Sequence, residues 1–294
     1  MHRSAAAVAA LLVASADAWR AGALHGVALR SSCSSSTRLR MLTEQEERVS
    51  AAMEIKPVAA ASARATGLAL ALDDGTRKSH SVAENTAFVT GFFRGIATKA
   101  AFSQLVTALY FVYEAMESAF DTTPHAGVRA LDYPQLRRRT ALELDMEYYF
   151  GSDWRTRVQP SAATQKYVAR VREVANETPE LLVAHQYTRY LGDLFGGQMM
   201  GGMARRSLSL DEGRGTRFYE FEYIEDSKSF IEAWYAQLNE LELTDEQKRA
   251  IVDEGNLVFA LNIELFEELE GNPAQALFAL ALGGLKRALG VDRA

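Results

Sequence analysis

The sequence is short of cysteine, of proline and of long apolar runs, and each shortage removes a class of protein. It holds one cysteine in 294 residues, Cys33, close to the N-terminus. The body of the chain therefore has no internal disulfide, no thiolate metal ligand and no thiol nucleophile. Of its six prolines, none falls between Pro57 and Pro124 or between Pro179 and Pro273. Such stretches suit helices, whose interiors proline breaks. No apolar run approaches the ~20 residues that a membrane-spanning helix needs. Acid is missing locally: from Trp19 to Met41 there are four arginines and no Asp or Glu.

That local absence divides the net charge of -6 into two unlike parts. Residues 1–42 carry five arginines against Asp17 alone, and the remainder carries 27 basic and 37 acidic residues, a balance of -10. An acidic body argues against nucleic-acid binding, which needs a clustered basic surface. Ala5 to Ala14 is an apolar run behind Arg3 that ends in Ala14-Ser15-Ala16, the small residues a signal peptidase prefers. Residues 1–16 are thus expected to be a signal peptide, and the arginine- and serine-rich residues 17–42 a transit peptide. This two-part address points to a plastid, the chloroplast stroma of an alga with complex plastids. Residues 43–65 are expected to form a linker or N-terminal helix. An amphipathic tail, 273–294, is too short in its uncharged run to span a bilayer.

The body reads as helices. Phe88, Phe92 and Ile96 recur every fourth residue, and Phe102, Leu105, Leu109, Val112 and Met116 every third or fourth, as on amphipathic helices facing a core. Leu257, Leu261, Ile263 and Phe266 continue the pattern near the end. Residues 217–224 alone have strand-like aromatic enrichment. The expectation is one all-α domain.

Five of the eleven residues from Gly192 to Gly202 are glycine. Each costs a helix about 1 kcal/mol relative to alanine. Close packing against another helix would explain this, and so would a flat ligand lying on the backbone. Asp193 sits among them, a carboxylate that needs hydrogen-bond partners if it is buried. Three histidines of the body, His80, His125 and His185, could serve as metal ligands. His80 has Glu84 one helical turn on, where a carboxylate can fix the imidazole's tautomer.

The run Ala184-His185-Gln186-Tyr187-Thr188-Arg189-Tyr190-Leu191-Gly192-Asp193-Leu194, followed by Gly196-Gly197-Gln198, resembles the heme oxygenase signature. Gly75 to Asn85 resembles that family's proximal-helix motif, Leu109 to Tyr113 a second motif, and Asn262 to Leu269 its last core helix. The resemblance spans residues 66–272. It implies a single multi-helix domain with heme b held between a proximal helix and a glycine-rich distal one. It further implies oxidative cleavage of heme, both substrate and cofactor, to biliverdin, carbon monoxide and ferrous iron. Molecular oxygen and electrons from ferredoxin would be consumed, and a biliverdin or bilin reductase would be a further partner.

On the same resemblance His80 is the axial iron ligand, supported by Glu84. Asp193 holds a network that delivers protons where oxygen is activated, with Arg189, Tyr113 and Asn262 as its polar members. Gly192, Gly196 and Gly197 bring the backbone close to heme, Tyr187 lies near the propionates, and Phe259 packs at the heme edge. Arg137-Arg138-Arg139 and Arg205-Arg206 are candidates for docking ferredoxin. The chain departs from the family where heme propionates meet cations: Asp73, Ile231 and Tyr235 stand there, with Arg77, Lys78 or Tyr235 as substitutes. Phe195 and Gly201-Gly202 are further departures. They support the alternative of a non-catalytic tetrapyrrole-binding or interaction protein of the same fold.

Overall fold

In the computed structural model, residues 62–93, 98–211 and 213–270 are described. Residues 1–42, Cys33, most of the 43–65 segment, Ile96 and the 273–294 tail lie outside them. The described residues belong to one contact unit, 39–294.

The longest proline-free stretches become the central helices. A short 3-10 turn, Ala63–Ala65, leads into α1 (Gly67–Glu84), α2 (Ala87–Phe93) and α3 (Lys99–Thr122). Then come α4 (Ala126–Ala130), α5 (Arg139–Phe150), α6 (Trp154–Arg157) and α7 (Ala162–Glu177). A helical rod follows, made of α8 (Leu182–His185), two π-helical stretches (Gln186–Leu191 and Asp193–Gly197) and α9 (Gln198–Ser207). The chain ends in α10 (Ser227–Asn239) and α11 (Asp245–Glu270). No strand occurs among the described residues, and no helix among them is long and apolar enough to cross a membrane.

α3 is deeply embedded, because the hydrophobic stripe expected for it widens to most of its circumference. Fourteen of its 24 residues are buried, too many for a helix with one wet face. Thr98 caps it by accepting from the Ala101 N–H at 3.1 Å. α5 and α7 pack on α3, and α1 packs most extensively on α11. On α11 the core face is Ile251, Val258, Leu261 and Leu265, whereas Leu257 is exposed. The expected stripe is therefore one residue out of register at Leu257. Glu117 of α3 lies buried and caps the start of α5, accepting from the Arg138 and Arg139 N–H groups at 2.6 and 3.0 Å.

The strand expected at 217–224 is instead a 3-10 turn, Arg217–Tyr219, followed by irregular chain. Side chains satisfy this backbone in place of a sheet partner. The Asp145 carboxylate accepts from the N–H groups of Arg217 and Phe218, each at 2.9 Å. The Arg138 guanidinium donates to the carbonyls of Phe218 (3.4 Å) and Glu220 (2.7 Å). The aromatics that suggested a strand, Phe218, Tyr219 and Phe221, are buried, so their enrichment reflects core packing.

Candidate functional site

α1 and the π-helical rod approach each other where Tyr187 lies beside Thr76. At the other end α2 touches α9. Between these meeting points both helices carry open positions. His80 stands one turn beyond Thr76 with its side chain 54% exposed. On the rod, an added Cβ at Gly192 or Gly196 would have nothing within 4 Å. We take these two open faces, an imidazole on α1 and bare backbone on the rod, as the two walls of one slot.

The imidazole is held from two sides. Its Nδ1 lies 3.7 Å from Glu84 Oε1, an i,i+4 pairing on α1. Phe259 of α11 meets the ring edge-on, with centroids 5.4 Å apart and planes at 87°. Nε2 makes no hydrogen bond among the described residues, and it is the nitrogen left for a ligand. The other two histidines are engaged elsewhere. His125 Nδ1 accepts from the Val128 N–H at 3.3 Å as the cap of α4. His185 is fully buried, with Nε2 3.0 Å from Glu254 Oε1.

Behind the glycine wall the four polar residues singled out in the sequence meet in one buried network. The Tyr113 hydroxyl donates to Asp193 Oδ2. Arg189 Nη2 donates to the same oxygen at 2.7 Å, and Nη1 donates to Asn262 Oδ1 at 2.8 Å. Asn262 Nδ2 in turn donates to the Val258 carbonyl at 2.8 Å, which fixes the amide's orientation. Burial pushes the Asp193 carboxyl above the usual carboxylate range, although Arg189 and Tyr113 work in the opposite direction. Tyr113 is raised well above an ordinary phenol by burial and by the Asp193 charge. Burial opposes the Arg189 charge, but Asp193, Tyr113 and Tyr167 together outweigh it and hold the guanidinium protonated. A carboxyl with a raised pKa, hydrogen-bonded to a phenol and a guanidinium, can hold and hand on a proton.

Within the network Arg189 Nε is buried without a hydrogen-bond partner among the described residues, and Tyr167 Oη and Thr188 Oγ1 are likewise buried and unpartnered. Sequence reading missed Tyr167 and Thr188. It missed as well the ion pair of Glu254 with Arg170 (2.6 Å) behind His185. Arg170 and Glu254 lie 84 residues apart, and no local spacing marks the pair. The π-helical geometry of the rod was also unforeseen, though π turns tend to occur at functional sites.

The glycines separate into two sets. Gly192 and Gly196 face the slot. Gly197, grouped with them on the sequence, instead faces Tyr219, whose ring lies 3.0 Å from where its Cβ would be, and Gly201 faces the same residue at 2.7 Å. Tyr187 and Tyr235 sit together at the Thr76 end, with ring centroids 6.5 Å apart. Phe195 is 64% exposed on the rod.

Two of the three arginines in the first docking candidate are withdrawn from the surface, and Arg139 is half-buried. Arg137 and Arg138 are buried, Arg137 bonded to Asp132 and Asp121 and Arg138 to backbone carbonyls. Arg205 is partly buried and pairs with Glu220 at 3.6 Å, whereas Arg206 is exposed.

The family model described as heme oxygenase matches residues 66–268. Heme oxygenase 1 of Synechocystis is 46% identical over 221 residues, which cover 75% of this chain and 92% of that one. Heme oxygenase of Porphyra purpurea is 41% identical over 223 residues, 76% of this chain and 94% of that protein. The crystal structure of heme oxygenase-1 from Synechocystis in complex with heme superposes with a TM-score of 0.71 at 45% identity, covering 75% of this chain and all of that one.

Proposed function

The chain belongs to the heme oxygenase family, and from that premise we propose that it cleaves heme to biliverdin, carbon monoxide and ferrous iron, using oxygen and electrons from ferredoxin. The observation that carries this reading is the slot itself. An accessible imidazole on α1 stands across from a glycine wall that leaves open space, with a buried proton-holding network directly behind the wall. The residues fit heme on two counts: a free imidazole nitrogen for iron, and a backbone face that a flat macrocycle can approach.

Heme supplies the iron at which oxygen is activated and the macrocycle that is oxidised. The remaining work falls to the chain. His80, with Glu84 Oε1 3.7 Å from its Nδ1 and Phe259 packed edge-on against its ring, would be the iron ligand through Nε2. Gly192 and Gly196 would let a flat macrocycle approach the rod's backbone. Asp193 holds a proton at its carboxyl, with Tyr113 and Arg189 orienting that group and Asn262 orienting Arg189. Tyr187 and Tyr235, side by side at the Thr76 end, would border the carboxylates of bound heme.

The domain assignment of 66–272 and a plastid location belong to the same proposal. Support for the location comes from the leader's composition and from relatives in the algae Porphyra purpurea and Rhodella violacea. Ferredoxin, as donor, would meet an acidic body, and Arg206 is the exposed cation left from the two candidate runs.

The test is reconstitution of the full chain with hemin, reduced ferredoxin and oxygen. A Soret band that decays into a biliverdin spectrum is expected. A Soret band that persists under turnover would leave the non-catalytic tetrapyrrole-binding reading, and no Soret band at all would overturn both. His80→Ala is expected to abolish the imidazole signature of bound hemin, and an unchanged spectrum would refute the ligand assignment.

A further inference from the structure

The expected propionate cations are absent from positions 73, 231 and 235, yet a guanidinium occupies that place from elsewhere in the chain. Arg64 comes from the 3-10 turn ahead of α1. Its Nε donates to Asp73 Oδ1 at 3.2 Å, and Nη2 donates to the same oxygen. Its side chain is 54% exposed, and Tyr187 and Tyr235 both lie within its electrostatic reach. Asp73 is two helical turns before His80 on α1, and Tyr187 is on the facing rod. Arg64 therefore stands at the mouth of the slot, at the Thr76 end.

The turn that carries Arg64 is pinned rather than loose. Glu232 of α10 accepts from Ser62 Oγ (2.8 Å) and the Ala63 N–H (2.9 Å). Asn239 Nδ2 donates to the Ala63 carbonyl at 2.8 Å, and Asn239 Oδ1 accepts from the Ala69 N–H at 2.9 Å. Between these anchors Gly67 takes φ +57°, and a Cβ there would fall 2.6 Å from Asn239 Oδ1. Arg77 is the obvious competitor, being nearer His80 in sequence. Its guanidinium, 69% exposed, is bonded to Asp74 (2.5 Å) and Asp73 (3.3 Å).

We propose that Arg64 is the carboxylate-binding residue of the slot, oriented by Asp73 and flanked by the Tyr187 and Tyr235 hydroxyls, and that it takes the propionate end of a tetrapyrrole in place of the cations missing from positions 73, 231 and 235. A guanidinium has five N–H donors. Asp73 engages Nε and one Nη, which leaves donors over for a second carboxylate. The inference rests on the heme reading above.

The test compares hemin with hemin dimethyl ester, which has no free carboxylates, by Soret titration of the full chain. The wild-type chain is expected to prefer hemin by about tenfold, the scale of one charge-assisted hydrogen bond. Arg64→Gln should remove that preference by weakening hemin alone, Arg64→Lys should keep part of it, and Arg77→Ala should leave it intact. The proposal is overturned if the preference survives Arg64→Gln, or if hemin and its ester weaken equally in both Arg64 variants. A wild-type chain that binds neither compound refutes the heme reading, a result separable from failure of Arg64 alone.

Discussion

Gly192 offers a test in which stability and binding should move in opposite directions. Its backbone is ordinary right-handed helix, φ −59° and ψ −44°, a conformation alanine adopts without strain. An added Cβ would touch nothing within 4 Å. Gly192→Ala therefore gains the helix preference of alanine, about 0.8–1 kcal/mol, with no steric charge against it. For a domain of this size that is a rise of about 2–4 °C in the melting temperature of the ligand-free chain. The same methyl group projects into the slot, where hemin should bind at least ~10-fold more weakly, equivalent to about 1.4 kcal/mol.

Gly201→Ala is the matched control on the same rod. Its Cβ would fall 2.7 Å from Tyr219 Cβ and 2.9 Å from Cγ, atoms at the base of a side chain that cannot swing aside. Overpacking of this kind costs about 1–3 kcal/mol and outweighs the helical gain, so melting should fall while folded molecules keep wild-type hemin affinity. Thermal melts by circular dichroism and Soret titrations on both variants decide the matter. A Gly192→Ala chain that melts lower, or that binds hemin as wild type does, would refute the assignment of the open glycine face to the ligand.

Three further outcomes follow from the buried polar groups. Asp193→Asn should cut turnover by ~100-fold or more, the scale of a positioned proton donor, while hemin affinity stays near wild type; a variant with full turnover contradicts the proton-holding role. Burial alone would raise the Glu254 carboxyl, but hydrogen bonds from His185 and Arg170 hold it at about 2, below its usual 4.5. Its contribution is fully present above the usual value and lost as pH falls from there through the folded one. With Arg170 a quarter exposed, denaturant titrations should show about 2 kcal/mol lost over that window in wild type, and Glu254→Gln should flatten that limb. Arg138→Ala leaves the carbonyls of Leu136, Phe218 and Glu220 without their donor. About 3 kcal/mol should be lost in urea melts, and a surface arginine would cost far less.

What could be read in advance was local or shared with the family. His80 and Glu84 are one turn apart on one helix, so their pairing follows from spacing. Tyr113, Arg189, Asp193 and Asn262 were grouped by resemblance, and the fold brings them from α3, the π-helical rod and α11 into bonding distance. The failures share a cause. Arginine runs suggest solvated surface by default, but Arg137 and Arg138 are consumed by Asp132, Asp121 and the carbonyls around Phe218, all set by tertiary contacts. Residues 217–224 looked like a strand because buried aromatics look alike in a strand and in a side-chain-supported turn. Arg64 was invisible for the same reason. Its partner Asp73 is nine residues away, but the anchors that place it, Glu232 and Asn239, are some 170 residues distant.

The glycine cluster shows how two competing explanations can both hold. Sequence alone set helix packing against a ligand as alternatives for the whole stretch. In the fold four of the five glycines form two successive pairs, each at i,i+4 spacing. Gly192 and Gly196 form one stripe, open on the slot, and Gly197 and Gly201 form another, closed against Tyr219. Residues four apart share a helical face, and the two stripes therefore look in different directions. The stripe against Tyr219 holds the rod close to the 3-10 turn and fixes its position. The other stripe can then be bare without the rod collapsing into the slot. Asp193, between Gly192 and the closed pair, is carried inward by the same geometry to Tyr113 and Arg189. The loss of helix preference at these four positions, about 4 kcal/mol, thus has two sources of compensation: packing at Tyr219 in the ligand-free chain and, on the proposed function, contact with the macrocycle.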